Sequence, residues 1–435
     1  MSKRRKKSSG CGYLIGLFLI ILVMIAAILI FLVPHSNSEG EIGKSDSEFR
    51  STVDEDDEKE DDDSAVESAS FDMESLYDRY AQLNDEEQQI YCALLDQLND
   101  RKTSCTIKGT DAETYEASVN NAVYALYFDH PEFFWIDGGY SYTRTITGRM
   151  KIELHCYDYW KYSMNRKKYQ TALDERVNEI VELASQQETD YDKVKFVHDY
   201  LVQTVTYDHD TYENDISGQS LVTKLDASYE YAHSAYGCLV NNLCVCDGYA
   251  KAFQLVMQKI GISCYYTEGN ADNGEVNMAH AWNFLQLDGD YYYVDVTWDD
   301  MNKEDYPEFV RYEYFDITYD ELMRDHSYPD NEKYNWAPKT DAIDYNYYYH
   351  EDYYLTSYHF DEVSDILERQ LQENPDIPFA SIRFSSAREA LKAKTALIDN
   401  ANIWEINCIA ELGSDRKMSY IAADDSCYIY FLFSD

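Results

Sequence analysis

Basic residues are scarce: 37 Lys and Arg stand against 81 Asp and Glu, a formal net charge of −44. Polyanion binding needs clustered cations that displace counterions, so nucleic acid is excluded as a partner. Glycine and proline are few, 17 and 7, which excludes a collagen-like chain. Ten cysteines in 435 residues fall far below the density of a disulfide-stapled scaffold. Their pairing cannot be read from spacing, and buried free thiols are expected. The remainder is ordinary, 45% hydrophobic and 27% charged, so wholesale disorder is excluded. Tyrosine is abundant, 42 against 17 Phe and 6 Trp, and points to a substantial β component.

The length suits two or three domains of ~100–200 residues each. Residues 1–11 form a basic segment with Lys3, Arg4, Arg5, Lys6 and Lys7. Residues 12–33 carry no charge and as a helix, at ~1.5 Å per residue, would cross a ~30 Å hydrocarbon core. A cleaved signal peptide would have an apolar region of ~7–15 residues and a small-residue cleavage site. This run is longer and the following VPHSNS offers no such site, so an uncleaved single-pass anchor is expected. Cys11 precedes the run and reads as an interfacial thiol rather than a lipid site. The positive-inside rule places the N-terminus in the cytoplasm and the folded part outside the cell membrane. Residues 34–70 are poor in large apolar side chains, and residues 54–63 are all acidic except Lys59. Such a segment cannot offset ordering entropy and is expected to be a disordered acidic stalk.

The sequence from residue 71 onward predicts an α+β fold in three regions. Residues 71–168 read as helices over 73–98, broken near Asn84 and Asp85, and over 112–128. An antiparallel meander follows over 133–160. Residues 169–335 open with helices over 169–187 and 192–204. Residues 336–435 read as a small α+β domain: a Tyr-dense connector with strand character at 341–359, a helix at 360–372, a strand at 378–384 and a helix at 387–399. Three alternating runs end at Phe433. This region has no clustered Cys/His/acid set and no Gly-rich phosphate loop. His130 and His198 lie in packing contexts and read as structural.

The chemistry concentrates between Tyr236 and Asp300. Cys246 precedes a helical stripe of Tyr249, Phe253, Leu255, Val256 and Ile260 that stops at Gly261, which puts the thiol at or near a helix N-terminus. The free N–H groups and dipole there favour thiolate, so a lowered Cys246 pKa is expected. HAWNFLQL and YYYVDVTW flank Asp288-Gly289, a strong hairpin signal. With a two-residue loop Leu287 pairs with Asp290, and counting outward sets Trp282 opposite Asp295. His280 is then one diagonal step from Asp295, about 7–8 Å at the backbone and within reach of an imidazole–carboxylate hydrogen bond. An odd loop length would separate them onto opposite faces. A thiol, an imidazole and an orienting acid are what covalent acyl chemistry needs.

VCDGYAKAF, AHAWN and YYVDVTWDD, in that order, resemble the transglutaminase-like superfamily, the papain-related group with a Cys–His–Asp triad. DHPEFFWIDGG, KVKFVHDYLVQTVTYD and YFDITYDELMRDH extend the resemblance, towards its bacterial membrane-anchored branch. The resemblance implies a transglutaminase-like core in which Cys246 is the nucleophile, His280 the imidazole and Asp295 the orienting acid. Papain-like sites also imply an oxyanion donor upstream, for which Tyr236 is the candidate, and Trp282 is the candidate wall of a substrate groove. Cys244 lacks the helix dipole and reads as a bystander. Adjacent Asp299 and Asp300 do not make the ~6–8-oxygen cage of calcium, so no metal or cofactor is expected. The implied activity is a cysteine peptidase or amidase acting on protein or peptide substrates at a bacterial envelope, attached to the membrane through the N-terminal helix. A cross-linking transglutaminase and a non-catalytic envelope scaffold are the alternatives.

Overall fold

The computed structural model of the chain describes residues 78–434 apart from 109–111, 145–148, 218–230, 273, 275–276, 301–308, 330–336, 374–378 and 412–416. The expected anchor at 12–33 and the stalk at 34–70 lie outside the described residues. Among the described residues no helix is long and apolar enough to cross a membrane.

Helix α1 (Asp85–Asn99) starts at the expected break. The Asn84 side chain accepts from the N–H of Glu86 and Glu87, and Glu87 reaches back to the Asn84 N–H, a capping box. Its stripe of Ile90, Leu94 and Leu98 is buried, against β1 (Ser104–Lys108) and α2 (Ala112–Asp129). Strands β2 (Ile136–Arg144) and β3 (Arg149–Cys156) pair antiparallel, and β1 adds to the free side of β3. Along β3 buried Met150, Ile152 and Leu154 alternate with exposed Arg149, Lys151 and Glu153, the period of a half-buried strand. Helix α3 (Ser163–Ala184) starts earlier than the apolar stripe predicts. The reason is Arg166, buried in its first turns, where the guanidinium donates to the carbonyls of Trp160 and Arg101. Helix α4 (Asp190–Thr204) is closed at its start by a Thr189/Asp192 capping box.

The central layer is α5 (Cys246–Ile260) against a four-stranded antiparallel sheet of β4 (Cys264–Asp272), β5 (Asn277–Leu287), β6 (Asp290–Val294) and β7 (His326–Ser327), in the order β6-β5-β4-β7. Nearly every side chain of α5 from Gly248 to Gln258 is buried. Gly248 is required by close approach: a Cβ there would sit 2.4 Å from Cys244 Cβ and 2.8 Å from the Ala232 carbonyl oxygen. The helix ends in the left-handed turn at Gly261, φ 86°. Asn283 on β5 donates its amide to the Ala250 carbonyl at 3.0 Å and the Tyr265 carbonyl at 3.3 Å, pinning helix to sheet.

Toward the C-terminus the Tyr-dense stretch departs from its expected extended form. Tyr347–His350 is a helical turn, and only β8 (Tyr354–Leu355) is a strand. Helix α6 (Phe360–Glu373) precedes β9 (Phe379–Phe384). With β10 (Lys417–Ile421) and β11 (Tyr428–Ser434) the sheet order is β8-β9-β11-β10, β8 running parallel to β9. One of the three alternating runs is helical instead, as Asn402–Glu405 and Asn407–Glu411. Its buried residues Ile403, Ile406 and Ile409 recur every third position, a helical stripe rather than a strand's.

One polar latch fixes α4 to the segment after β6. The His198 ring, fully buried, lies 3.1 Å from both Asp199 Oδ1 and Asp299 Oδ2. Asp299 Oδ1 in turn accepts from the N–H of Glu313 at 2.9 Å and Tyr314 at 3.1 Å. Burial alone would neutralise the ring, but the hydrogen bonds to the two carboxylates outweigh it and hold the His198 pKa up at about 9. His130 is likewise buried and 2.9 Å from Glu132 Oε1. His198→Leu would leave the Asp299 carboxylate buried without its charged partner, and should lower stability by about 3–5 kcal/mol. The check is the melting temperature; a transition unmoved by the substitution would show that the latch bears no weight.

Candidate active site

Cys246 is the first residue of α5, after Val245 in extended conformation. First-turn N–H groups have no intrahelical acceptor, and that of Asp247 is turned to the thiol. The side chain is half-buried beside Phe128, Tyr266 and Ala281. The expected lowering of its pKa is reversed. Burial pushes the thiol up, the Asp247 carboxylate pushes it further, and Asp295 adds to both. The backbone N–H groups of Ala281 and Asp247 pull the other way and lose. The helix dipole that favours thiolate is opposed by the acid one residue on and by the acid across the sheet. Cys246 at rest is therefore a neutral thiol. Cys244 is fully buried beside Cys238, and both are free thiols, as is Cys246.

The hairpin delivers the other two groups as its parity predicts. Asp288 and Gly289, both at positive φ, make the two-residue turn, Leu287 pairs with Asp290, and the ladder runs to Asn283 opposite Val294. Asp295 follows β6 and caps the short helix Val296–Asp299, its Oδ1 accepting from the Trp298 N–H at 3.1 Å. Its Oδ2 lies 2.6 Å from His280 Nε2. Both side chains are buried; burial pushes the Asp295 carboxyl up, but the electrostatic attraction and hydrogen bond of His280, with those of His326, outweigh it and hold the group well below the usual carboxylate range. Nδ1 is the His280 nitrogen that Asp295 leaves open. No hydrogen bond joins Cys246 to His280 among the described residues; the link is Ala281, next to His280 on β5, whose N–H acts on the thiol.

A cleft of about 860 Å³ opens beside His280, lined among others by Tyr207, Tyr212, Thr297, Trp298, Tyr314 and Asp325. Trp282 is not part of it. Its indole is 1% exposed and packs with Tyr265, Phe284, Tyr293 and Ile317 behind the histidine. The indole at the cleft is Trp298, whose ring lies 5.7 Å from His280. Tyr236 is also placed elsewhere, its ring against Phe134, Tyr169 and Tyr231, with no hydrogen bond from its hydroxyl to the site among the described residues. The residue that sequence reasoning missed is His326. Its Nε2 is 3.1 Å from the same Asp295 Oδ2, and its Nδ1 is 2.6 Å from Asp325 Oδ1. The DH pair of the YFDITYDELMRDH block was its only trace in the sequence.

His280, Asp295 and His326 form a three-donor set of the kind that can hold a metal ion. Two ligands on a tetrahedral ion, each at ~2.0–2.1 Å, stand more than ~3 Å apart. The 2.6 Å separation of His280 Nε2 and Asp295 Oδ2 is a hydrogen-bond distance, so the set fits protons rather than an ion. Asp299 is filled by His198 and two backbone N–H groups.

The family model of the transglutaminase-like superfamily matches residues 178–296, a stretch that contains Cys246, His280 and Asp295 and stops short of His326. Over 214 residues the chain is 23% identical to the kyphoscoliosis peptidase of Mus musculus, which covers 45% of this chain and 29% of that protein. The Homo sapiens kyphoscoliosis peptidase is 22% identical over 210 residues with the same coverage. The chain thus spans less than a third of the length of these relatives. A crystal structure of a TGase is 16% identical, covers 39% of this chain and 55% of its own, and superposes with a TM-score of 0.27.

Iodoacetamide should alkylate Cys246 with a pH midpoint above the ~8.5 of a free cysteine. Asp247→Asn removes the nearer opposing carboxylate and should shift that midpoint down, so alkylation at pH 7 becomes faster. Rates against pH with peptide mapping give the answer, and a midpoint below 8 in the unmodified chain would restore the resting thiolate.

Proposed function

We propose that this chain, which carries a transglutaminase-like domain over residues 178–296, is a cysteine enzyme that opens amide bonds through a thioester on Cys246. The observation that supports it is the 2.6 Å hydrogen bond between His280 and Asp295 on a hairpin whose next residue, Ala281, directs its N–H to a thiol at a helix start. The thiol is neutral at rest, so the base must take its proton during attack. Cys246 Sγ bonds to the carbonyl carbon while its proton passes to His280 Nδ1, and the carbonyl π pair moves onto oxygen. The first-turn N–H groups of α5, which have no intrahelical acceptor, serve that oxyanion in this reading. As the oxyanion collapses the C–N bond breaks, and the imidazolium returns the proton to the departing amine. Water then attacks the thioester, His280 takes its proton, the C–S bond breaks and the thiol is restored. Asp295 keeps the proton on Nε2 throughout and stabilises the imidazolium.

Hydrolysis is the favoured direction because the curated relatives are named as peptidases, and a cleft walled by Tyr207, Tyr212, Trp298 and Tyr314 suits an extended peptide with apolar side chains. Residues 12–33 supply the anchor and the charge asymmetry around them sets the topology, so the substrates are envelope proteins or peptides. External protease should then remove the folded region from intact cells; protection until lysis would refute the outward placement.

A peptidyl vinyl sulfone should label Cys246 alone, and His280→Ala should slow labelling by about 100-fold or more. Labelling of Cys246 at an undiminished rate in that variant would leave a scaffold as the better description. With a labelled peptide substrate, release of free acid identifies a peptidase, whereas incorporation of an added primary amine identifies a transglutaminase.

A further inference from the structure

Asp295 Oδ2 faces two imidazoles. His280 Nε2 lies at 2.6 Å and His326 Nε2 at 3.1 Å, while His326 Nδ1 meets Asp325 Oδ1 at 2.6 Å. The His326 side chain is fully buried. A neutral imidazole has one N–H and one lone pair, so between two carboxylates it would turn the lone pair onto one of them. Only the imidazolium donates both ways.

The placement is built into the fold. β7 is a two-residue edge strand on which His326 pairs with Ala271 of β4, and the Asp272 N–H donates to the Asp325 carbonyl at 2.8 Å. Tyr314 donates its hydroxyl to Asp325 Oδ2 at 2.6 Å, which leaves Oδ1 turned to the ring. Trp282, Trp298 and Tyr314 wall the ring with centroids at 4.9, 4.6 and 5.6 Å.

We infer that His326 is a positioning residue for the reaction, an imidazolium clamped between Asp295 and Asp325 that fixes the Asp295 carboxylate and tempers its pull on His280. The inference rests on the reading of His280 as the acid–base. An ionised carboxylate facing His280 alone would favour the imidazolium there and spoil a base that must receive a proton from a neutral thiol. A fixed cation on the far side of the same oxygen shares its lone pairs, and its centroid, 5.4 Å from that of His280, disfavours a second positive ring. The groups that face His326 are His280 and Asp295 from the hairpin, Asp325 from its own segment, and the Tyr314 phenol. Burial would neutralise His326, but its hydrogen bonds to Asp295 and Asp325 prevail and hold it protonated to about 9.

Two measurements on the full-length chain test this. In ¹⁵N NMR with labelled histidine, both His326 nitrogens should show protonated shifts at pH 7 and lose them only near pH 9, the resonances being identified by their absence from His326→Gln. A neutral tautomer at pH 7 overturns the inference whether or not the chain proves to be an enzyme. In the pH profile of Cys246 acylation, His326→Gln keeps a donor but no charge. Removing the cation strengthens the field of Asp295 at the Cys246 thiol, which that carboxylate already helps to keep protonated, so the profile should move to higher pH by about one unit. A lower rate with an unmoved profile would make His326 merely structural and would also overturn it. Loss of labelling specificity for Cys246 in the unmodified chain would instead strike the enzyme reading and leave the NMR result standing.

Discussion

The site hangs on one buried carboxylate. Asp295 gives Oδ1 to the Trp298 N–H and Oδ2 to two imidazoles. Stripped of those donors it would be an unpaired ion in the interior, a state that costs several kcal/mol and that proteins avoid by protonating the group. A protonated Asp295 could not select the tautomer of His280. The hairpin turn at Asp288 and Gly289 sets the register that brings Asp295 to His280, and the edge pairing of His326 with Ala271 supplies the second donor. Fold and chemistry therefore meet at the same atom.

The same device occurs twice within one helical turn. Asp295 caps Val296–Asp299, and Asp299 at its end is the acid held by His198. Each acid meets a buried imidazole whose other nitrogen meets a neighbouring acid, Asp325 for His326 and Asp199 for His198. In both the hydrogen bonds offset the burial of charge, and both histidines remain cationic near neutral pH. One bridge stands at the cleft and the other locks the turn to α4, so the turn that carries the acid is fixed at both ends. A chain with so large an excess of acids can bury several of them only where a counter-charge is close at hand.

Much of this was legible in the sequence because it depended on parity and local signals. The two-residue turn set the face of every hairpin residue, and the stripe ending at Gly261 located the start of α5. The misses have physical causes. The pKa of Cys246 depends on carboxylates at Asp247 and Asp295 whose distances sequence does not give. Trp282 and Trp298 carry the same indole, but one lies in a strand that faces the sheet's packed side and the other in the turn beyond it. His326 reaches the site through a two-residue edge strand, too short to show a period. Within 341–359, Tyr347–His350 curls into a helical turn in which Tyr347 and Tyr348 are held by tertiary packing, including a stack of Tyr347 on Tyr312 at 3.8 Å. The domain divisions at 168 and 335, and the topology, rest on composition and charge.

The central claim is that Asp295 makes Cys246 and His280 into one acylating unit. A rapid-quench experiment with p-nitrophenyl acetate addresses it directly, with released nitrophenolate and the acetylated peptide both measured. The account predicts a burst of one nitrophenolate per chain with the acetyl group on Cys246, and a burst slowed by about 100-fold or more in Asp295→Asn that retains the native melting temperature. An undiminished burst in that variant, or acetyl groups scattered over the other cysteines and lysines, would contradict it.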